Sequence, residues 1–218
     1  MTEKKADPQV ADQQVADQQV AKPQVADQQG AFNKDYYFGE IYQDYNTFMD
    51  FEKLAKGLIR RYSFDSFLDI GCGCGNLVKE LIRQLEINNK KCNIQGVDFS
   101  EFAVSTADVS FVCTADCRQL KFDDSSFDVV YILGTFGYLP SKDDVLKAMK
   151  EAYRVAKKQI VFEDVYDMPL KTSDDYDPYR VQFLNQIGWR DLWSEILLKG
   201  DTIKIIFDER DEIVITKG

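Results

Sequence analysis

Histidine is absent from the 218 residues of this sequence. Its absence excludes Ser-His-Asp hydrolysis, His-ligated zinc chemistry and general-base catalysis by an imidazole ring. A proton acceptor in any active site must therefore be a carboxylate, tyrosine, lysine or cysteine. The sequence also lacks the Gly-Lys-Ser/Thr tripeptide of a P-loop, which excludes that kind of triphosphate site.

Long apolar runs, basic charge and regularly spaced cysteines are also lacking. No apolar run approaches the roughly 18 residues of a membrane span, and we expect no signal peptide. The 37 acidic and 27 basic residues give a net charge of -10, which disfavours nucleic acid and anionic membranes as partners. Five cysteines at irregular spacing indicate reduced thiols and a cytoplasmic protein. Length and composition predict one globular domain, present as a monomer or homodimer.

A low-complexity repeat precedes the globular part of the chain. The unit Val-Ala-Asp-Gln-Gln recurs between Val10 and Gly30. A five-residue period places successive valines around a helix instead of along one stripe, so no apolar face forms. We therefore predict that residues 1–30 are a disordered arm. A docking arm or a spacer is the functional alternative.

A glycine-rich turn lies between an apolar segment and a helical pattern. The apolar segment ends at Ile70, and Gly71, Gly73 and Gly75 follow at alternate positions. Glycine tolerates positive φ and leaves the backbone open to a ligand. A dinucleotide fingerprint would require a further glycine where this chain has Asn76, so that class of ligand is disfavoured.

Strand and helix patterns alternate after this turn, which predicts an α/β fold with a mostly parallel sheet and helices on both faces. An amphipathic helix at 47–61 precedes the first strand, a short helix follows at 102–107, and Ser141 with Asp144 caps another. Near the C-terminus we predict a helix at 178–187 and antiparallel strands. The predicted strands are 67–70, 93–98, 109–113, 127–133, 159–163, 192–198, 202–207 and 212–216.

Carboxylates stand at the carboxyl ends of the first three predicted strands, where ligands of such sheets bind. Asp98 is placed to accept both hydroxyls of a ribose, and Asp116 is placed to accept an adenine amino group. Together with Asp69 they indicate a ligand that contains adenosine. The aromatic residues between Phe32 and Tyr45 either form a lid over this site or pack the first helix onto the core.

Three motifs resemble those of the class I S-adenosylmethionine-dependent methyltransferases. Leu-Asp-Ile-Gly-Cys-Gly-Cys-Gly at 68–75 resembles the first motif, Gly-Val-Asp-Phe-Ser at 96–100 the second, and 115–128 the third. The resemblance is close over 67–140 and looser over 36–218. It implies a Rossmann-like, doubly wound, seven-stranded sheet with an antiparallel C-terminal strand or hairpin. It also implies an enzyme that uses S-adenosyl-L-methionine and releases S-adenosyl-L-homocysteine.

The resemblance further implies roles for individual residues. Asp69 and the glycine turn would hold the methionine end of the cofactor, and Asp98 its ribose. Asp116 and Cys117 would hold the adenine, with Phe99 beside its ring. The implied cofactor-binding residues are Tyr42, Asp69, Gly71, Cys72, Gly73, Gly75, Asp98, Phe99, Asp116, Cys117, Leu133, Gly134 and Thr135. The implied divisions of the domain at 31–218 are an aromatic and helical cap, the cofactor-binding core, and a C-terminal helix with antiparallel strands (31–62, 63–165 and 166–218).

The acceptor side has four candidate residues. Tyr138, Glu163 or Asp164 would accept or orient the proton of an amine or alcohol, whereas Arg180 would bind an anionic acceptor. A surface ion pair is the structural alternative for Arg180. Family members that methylate small molecules often have a histidine where this chain has Leu139, so a histidine-assisted mechanism is excluded.

We therefore expect O- or N-methylation of a small molecule. The narrower hypothesis, from a resemblance to small bacterial enzymes, is a sugar-linked or phosphorylated metabolite of surface-polysaccharide biosynthesis. The alternatives are methylation of a protein or RNA, and a non-catalytic regulatory protein that binds the cofactor. No metal is expected, since Cys72 and Cys74 fall inside the cofactor turn and cysteine is common as a small buried residue.

Overall fold

The computed structural model describes residues 28–39, 41–163, 180–181, 184–206 and 211–218. Most of the predicted N-terminal arm and the candidate acceptor residue Asp164 lie outside these ranges. Residues 28–30, which the sequence placed in the arm, belong to a short helix. The side-chain amide of Asn33 donates a hydrogen bond to the carbonyl of Gly30 at 2.8 Å and so ties this helix to the next one.

Seven described strands form one sheet. They are β1 Ser66–Ile70, β2 Asn93–Asp98, β3 Val112–Thr114, β4 Phe127–Leu133, β5 Ala156–Glu163, β6 Thr202–Ile206 and β7 Glu212–Thr216. Their order is β3-β2-β1-β4-β5-β7-β6. The pairs among β1 to β5 are parallel, and β7 is antiparallel to both β5 and β6. The predicted Rossmann-like, doubly wound sheet with an antiparallel C-terminal hairpin is therefore confirmed.

Helices cover both faces of the sheet. The described helices are α1 Gln28–Ala31, α2 Lys34–Phe38, α3 Phe51–Arg61, α4 Asn76–Ile87, α5 Glu101–Ala107, α6 Lys142–Val155 and α7 Gln186–Ser194, with a 3-10 turn at Phe136–Tyr138. The predicted cap of α6 is confirmed, since the Ser141 hydroxyl accepts from the Asp144 amide at 3.1 Å and donates to its carboxylate at 2.7 Å. Within these ranges no helix combines the length and apolarity needed to cross a bilayer.

The central strands place alternate side chains in two apolar cores. Ile132 and Phe162 face the core that contains α6 and α7, whereas Tyr131 and Val161 face the core that contains α3 and α4. All four side chains are fully buried. This burial on both faces is typical of parallel strands, and it fixes the strand ends that surround the site.

The prediction of a strand at 192–198 is wrong, because a helix occupies the beginning of this segment. Helix α7 begins after Asn185, whose side chain caps it. Trp189, Leu192 and Trp193 recur at helical spacing and are buried. Helical periodicity therefore outweighs the β propensity of the aromatic residues. The predicted helix at 178–187 is wrong where the structure describes it, since residues 180–181 and 184–185 are not helical and only 186–187 belong to α7; positions 178–179 and 182–183 lie outside the described ranges.

Three elements also begin three or more residues away from their predicted positions. Helix α3 begins at Phe51 instead of residue 47, because the Asp50 carboxylate accepts a hydrogen bond from the Lys53 amide at 2.8 Å. Strand β3 begins only at Val112, and β5 already begins at Ala156. None of these differences moves the carboxyl ends of the strands that surround the site.

A buried polar cluster joins α3 to the far end of the chain. The carboxylate of Glu212 on β7 is fully buried. It accepts a hydrogen bond from the Tyr62 hydroxyl at 2.6 Å and forms an ion pair with Arg61. Buried charges are tolerated when they are paired in this way, so the cluster fixes the helix against the antiparallel end of the sheet.

Candidate functional site

A cavity of about 510 Å³ opens at the carboxyl ends of β1, β2, β4 and β5. This is the place where ligands bind in doubly wound sheets. Eleven of the thirteen residues predicted to bind the cofactor line it. They are Tyr42, Asp69, Gly71, Cys72, Asp98, Phe99, Asp116, Cys117, Leu133, Gly134 and Thr135.

The remaining two predicted residues, Gly73 and Gly75, shape the turn without lining the cavity. Both have positive φ, +54° and +71°. A Cβ atom on Gly73 would lie 2.4 Å from the hydroxyl oxygen of Tyr45, which covers this part of the turn. Gly75 precedes α4 and faces Val112 and Ala107. Their role in the described structure is therefore to permit the turn.

Gly71 forms the floor of the cavity next to the end of β1. Its φ is +79°. Its amide and that of Cys72 both donate to the Val97 carbonyl, at 2.7 and 3.0 Å, which fixes the turn against β2. Thr135 lies directly against Gly71, so the loop after β4 forms the adjoining wall.

Two carboxylates stand beside the turn in different environments. Asp98 accepts hydrogen bonds from the amides of Gly73 and Ser100, both at 2.8 Å, so its carboxylate is fixed in orientation. Asp69 is buried, and burial, together with the negative charges of Asp98 and Glu163, raises its pKa to about 8. Both carboxylates line the cavity.

The third carboxylate, Asp116, is held by an arginine that the sequence analysis missed. Arg118 lines the same cavity and pairs with Asp116 through its guanidinium, with a shortest contact of 2.7 Å. Desolvation acts to raise the pKa of Asp116, but hydrogen bonds and charge from Arg118 outweigh it and hold this pKa below its usual value. An arginine two positions after a predicted ligand residue was the available signal.

Aromatic side chains of the cap cover the cavity opposite the strand ends. Tyr36, Tyr37, Tyr42 and Tyr45 all line it, and neighbouring rings meet edge to face with centroids 4.8–5.3 Å apart. Tyr36 and Tyr37 are also buried. The same aromatic segment therefore contributes both to the cover of the site and to the core.

Hydrogen bonds from two side chains attach this cap to the cofactor side. The Ser100 hydroxyl donates to the Phe32 carbonyl at 2.5 Å, and the side-chain amide of Asn76 donates to the Tyr45 carbonyl at 3.3 Å. Ser100 also caps α5 through the Ala103 amide at 3.0 Å. The cap is thus anchored to the helices that follow the first two strands.

Three of the four predicted acceptor residues, Tyr138, Glu163 and Arg180, line the cavity. The guanidinium carbon of Arg180 lies 5.8 Å from the centroid of the Tyr138 ring, within the range of a cation–π contact. A Cβ on Gly137 would lie 2.4 Å from that carbon, so a larger residue there would displace the Arg180 guanidinium from this position. The Val181 amide donates to the Gly137 carbonyl at 2.8 Å.

The described lining suits a positively charged ligand with an adenosine group. It contains four carboxylates, two guanidinium groups and many aromatic rings, and aromatic faces attract cations. The positive-φ turn gives a ligand access to backbone. Among the residues that the structure describes, no group of three potential metal ligands is present. Cys72 and Cys74 are buried, and desolvation raises the pKa of both thiols.

Comparison with known proteins gives matches to methyltransferases. A methyltransferase domain model matches residues 67–159. The sterol 4-C-methyltransferase of Caenorhabditis elegans is 29% identical over 116 residues, which are 50% of this chain and 32% of the relative. The sterol 24-C-methyltransferase of Aspergillus fumigatus is 32% identical over 116 residues, 50% of this chain and 29% of the relative. The chain thus spans about a third of the length of these curated relatives.

A solved structure supports the fold over most of the chain. It is a SAM-dependent methyltransferase of Thermotoga maritima, described as a possible histamine N-methyltransferase. The TM-score is 0.59 at 18% identity, and the match covers 84% of this chain and 100% of that chain. Residues 67–159 thus match a methyltransferase domain model, and the motifs at their strand ends resemble those of the class I S-adenosylmethionine-dependent family.

Proposed function

We propose that the protein transfers a methyl group from S-adenosyl-L-methionine to a small-molecule acceptor, at oxygen or nitrogen. The observation that carries this proposal is one cavity that holds both sets of residues. The glycine turn, Asp98 and Asp116 lie at consecutive strand ends, and Tyr138 and Glu163 line the same space. Its volume of about 510 Å³ falls in the range of about 300–1,000 Å³ that is usual for small-molecule sites.

The cofactor, when bound, supplies a methyl group activated on a sulfonium. Asp98 has two oxygens fixed by amides, and each retains a lone pair for a ribose hydroxyl. Gly71 would allow the methionine part to approach the backbone, and the buried Asp69 would hold its amino group. The aromatic cap excludes water and aligns the reactants, which is the main contribution an enzyme makes to an in-line transfer.

On the acceptor side we assign proton handling to Tyr138 and Glu163, with Asp164 as a further candidate from the sequence. Arg180 against Tyr138 supports the narrower proposal of a phosphorylated or otherwise anionic acceptor, including a sugar phosphate. A guanidinium binds such oxyanions bidentately. The five free cysteines support a reducing compartment such as the cytoplasm.

The domain division is part of the same proposal. The cap at 31–62 would cover the site, 63–165 would hold the cofactor, and 166–218 would complete the sheet. Residues 1–30 would be dispensable for cofactor binding. A macromolecular acceptor fits less well with a cavity covered by the aromatic cap, and a non-catalytic binding protein is the second alternative that the test addresses.

The test has two stages. Calorimetry with S-adenosyl-L-homocysteine should detect one site in the purified protein. Methyl-labelled cofactor is then incubated with the protein and separate metabolite, protein and RNA fractions, and label is expected only in the metabolite fraction. Label in protein or RNA would replace the small-molecule proposal, and binding without turnover in any fraction would favour the regulatory alternative.

A further inference from the structure

We infer that Arg118 is a positioning residue that aims the Asp116 carboxylate at the amino group of adenine and so makes the site selective for adenosine. The inference rests on the proposed function, because it takes the methyl donor as the ligand. Arg118 itself need not contact the base. Its effect would be exerted through Asp116.

The contact between Arg118 and Asp116 uses both carboxylate oxygens. Nε of Arg118 lies 2.9 Å from Oδ1 and 3.0 Å from Oδ2, and Nη2 lies 2.7 Å from Oδ2. The backbone amide of Arg118 also donates to Oδ1 at 2.9 Å. A planar guanidinium that holds both oxygens leaves the carboxylate with one orientation.

A second contact anchors the arginine to the body of the domain. Its remaining nitrogen, Nη1, lies 3.2 Å from Oδ1 of Asp144 in the first turn of α6. The other oxygen of Asp144 accepts from the Ser141 hydroxyl at 2.7 Å. The strand-end loop that carries Asp116 is therefore fixed to a helix of 14 residues, and it is also joined to β2 by the Ala115 amide, which donates to the Asp98 carbonyl at 2.9 Å.

This arrangement gives chemical selectivity at the purine. An adenine amino group donates to a carboxylate that is held ionised, whereas a 6-oxo purine presents an oxygen that the same carboxylate repels. Arg118 and Asp116 both line the cavity and keep about a third of their side-chain surface exposed, 29% and 34%. The ion pair is thus accessible to a base that enters the site.

The experiment measures the dissociation constants of S-adenosyl-L-homocysteine and S-inosyl-L-homocysteine by calorimetry. The wild-type protein should prefer the adenosine ligand, and Arg118→Ala should reduce that preference by about tenfold or more, the value of a hydrogen bond to a charged group. Arg118→Lys keeps the charge without the planar fork and should also lose preference. Thermal melting monitors folding of each variant.

Arg83→Ala is the matched control. Nε and Nη2 of Arg83 donate to the two carboxylate oxygens of Glu80 on α4, at 2.8 and 2.7 Å. Arg83 is not among the residues that line the cavity. Its loss should leave the preference unchanged. If Arg118→Ala leaves the ratio of the two dissociation constants unchanged, the inference is overturned, even where both ligands bind more weakly. If the alanine variant does not fold, an unchanged ratio in Arg118→Lys overturns the inference instead. A wild-type protein that binds neither ligand would instead refute the proposed function.

Discussion

The side chain of Thr135 occupies the space that a Cβ atom on Gly71 would need. Such an atom would lie 2.0 Å from the Thr135 hydroxyl oxygen. That hydroxyl donates to the carbonyls of Ile70 and Leu133, each 3.0 Å away, as alternative acceptors. The loops after β1 and β4 are therefore built against each other, and the switch point of the sheet has no room for a larger residue.

Gly71→Ala and Gly134→Ala form a matched pair that tests this packing. Both glycines have positive φ, but a Cβ on Gly134 would meet nothing within 4 Å. Gly134→Ala should therefore destabilise the protein by only about 1 kcal/mol, the backbone cost of the left-handed region. Gly71→Ala should lose about 1–3 kcal/mol more through overpacking, and it should weaken cofactor binding. Urea denaturation and calorimetry measure the two effects, and equal costs would contradict the contact with Thr135.

Asp98→Ala should weaken binding of S-adenosyl-L-homocysteine by about 1–3 kcal/mol, because ribose hydroxyls would lose their acceptor. The same change removes the acceptor of the Gly73 amide, so a small loss of stability is expected as well. Asp65→Ala is the control, since the Asp65 side chain is 84% exposed and lies just before the first residue of β1, at the end of the strand away from the cavity. Unchanged affinity in Asp98→Ala would remove this residue from the site.

The buried carboxyl of Asp69 predicts a pH-dependent stability. Burial and neighbouring carboxylates raise its pKa from 3.8 to about 8 in the folded protein. The folded state therefore holds this proton more tightly than the unfolded state, and the resulting stability is fully present below about pH 4 and lost as the pH rises to about 8. Relative to Asp69→Asn, the ligand-free wild type should lose stability on the order of 4 kcal/mol between pH 5 and 8.

The measurement is urea denaturation of both proteins across that pH range. Asp128→Asn supplies the control, because Asp128 is also buried but its pKa is lowered. Desolvation acts to raise this pKa, and the hydrogen bond from the Asp65 amide together with the charge of Lys158 outweighs it. The difference in the free energy of unfolding between Asp128→Asn and the wild type should stay constant between pH 5 and 8. A constant difference for Asp69→Asn as well would show that this carboxyl titrates normally.

Glu212→Gln should destabilise the fold by about 3 kcal/mol, because it leaves the charge of Arg61 without its buried carboxylate. Tyr62→Phe, which removes only the hydroxyl that donates to Glu212, should cost about 1–2 kcal/mol. The control is Glu195→Gln, whose exposed pair with Lys142 at 3.0 Å contributes less than about 1 kcal/mol. Similar losses in Glu212→Gln and Glu195→Gln would show that the buried ion pair contributes no more stability than an exposed one.

The sequence predicted best those features that depend on local pattern. Strand β4 was expected at 127–133 and is found there, because seven consecutive residues suit burial on two faces. The glycine turn and Asp98 were recognised from motif spacing, and both are at the cavity edge. The end of helix α7 was predicted as part of a strand at 192–198, since an aromatic residue such as Trp193 has high β propensity.

Contacts between residues that are far apart in the sequence could not be predicted from local pattern. The pairing of Arg118 with Asp144 joins positions 26 apart, and only the fold brings the end of β3 beside the start of α6. Gly73 does not line the cavity because Tyr45 of the cap lies against it. A single sequence specifies these residues but not their distances.

Tyr62 and Glu212 are 150 positions apart, which has a consequence for biosynthesis. Strand β7 forms the neighbour of β5, so the edge of β5 stays uncovered until β7 has been synthesised. Exposed strand edges are sites of mispairing between nascent chains. Closing such a long loop is also slow compared with forming the local βα units. Pairing of β7 thus completes this part of the sheet, and a chain that lacks β7 would expose an aggregation-prone edge.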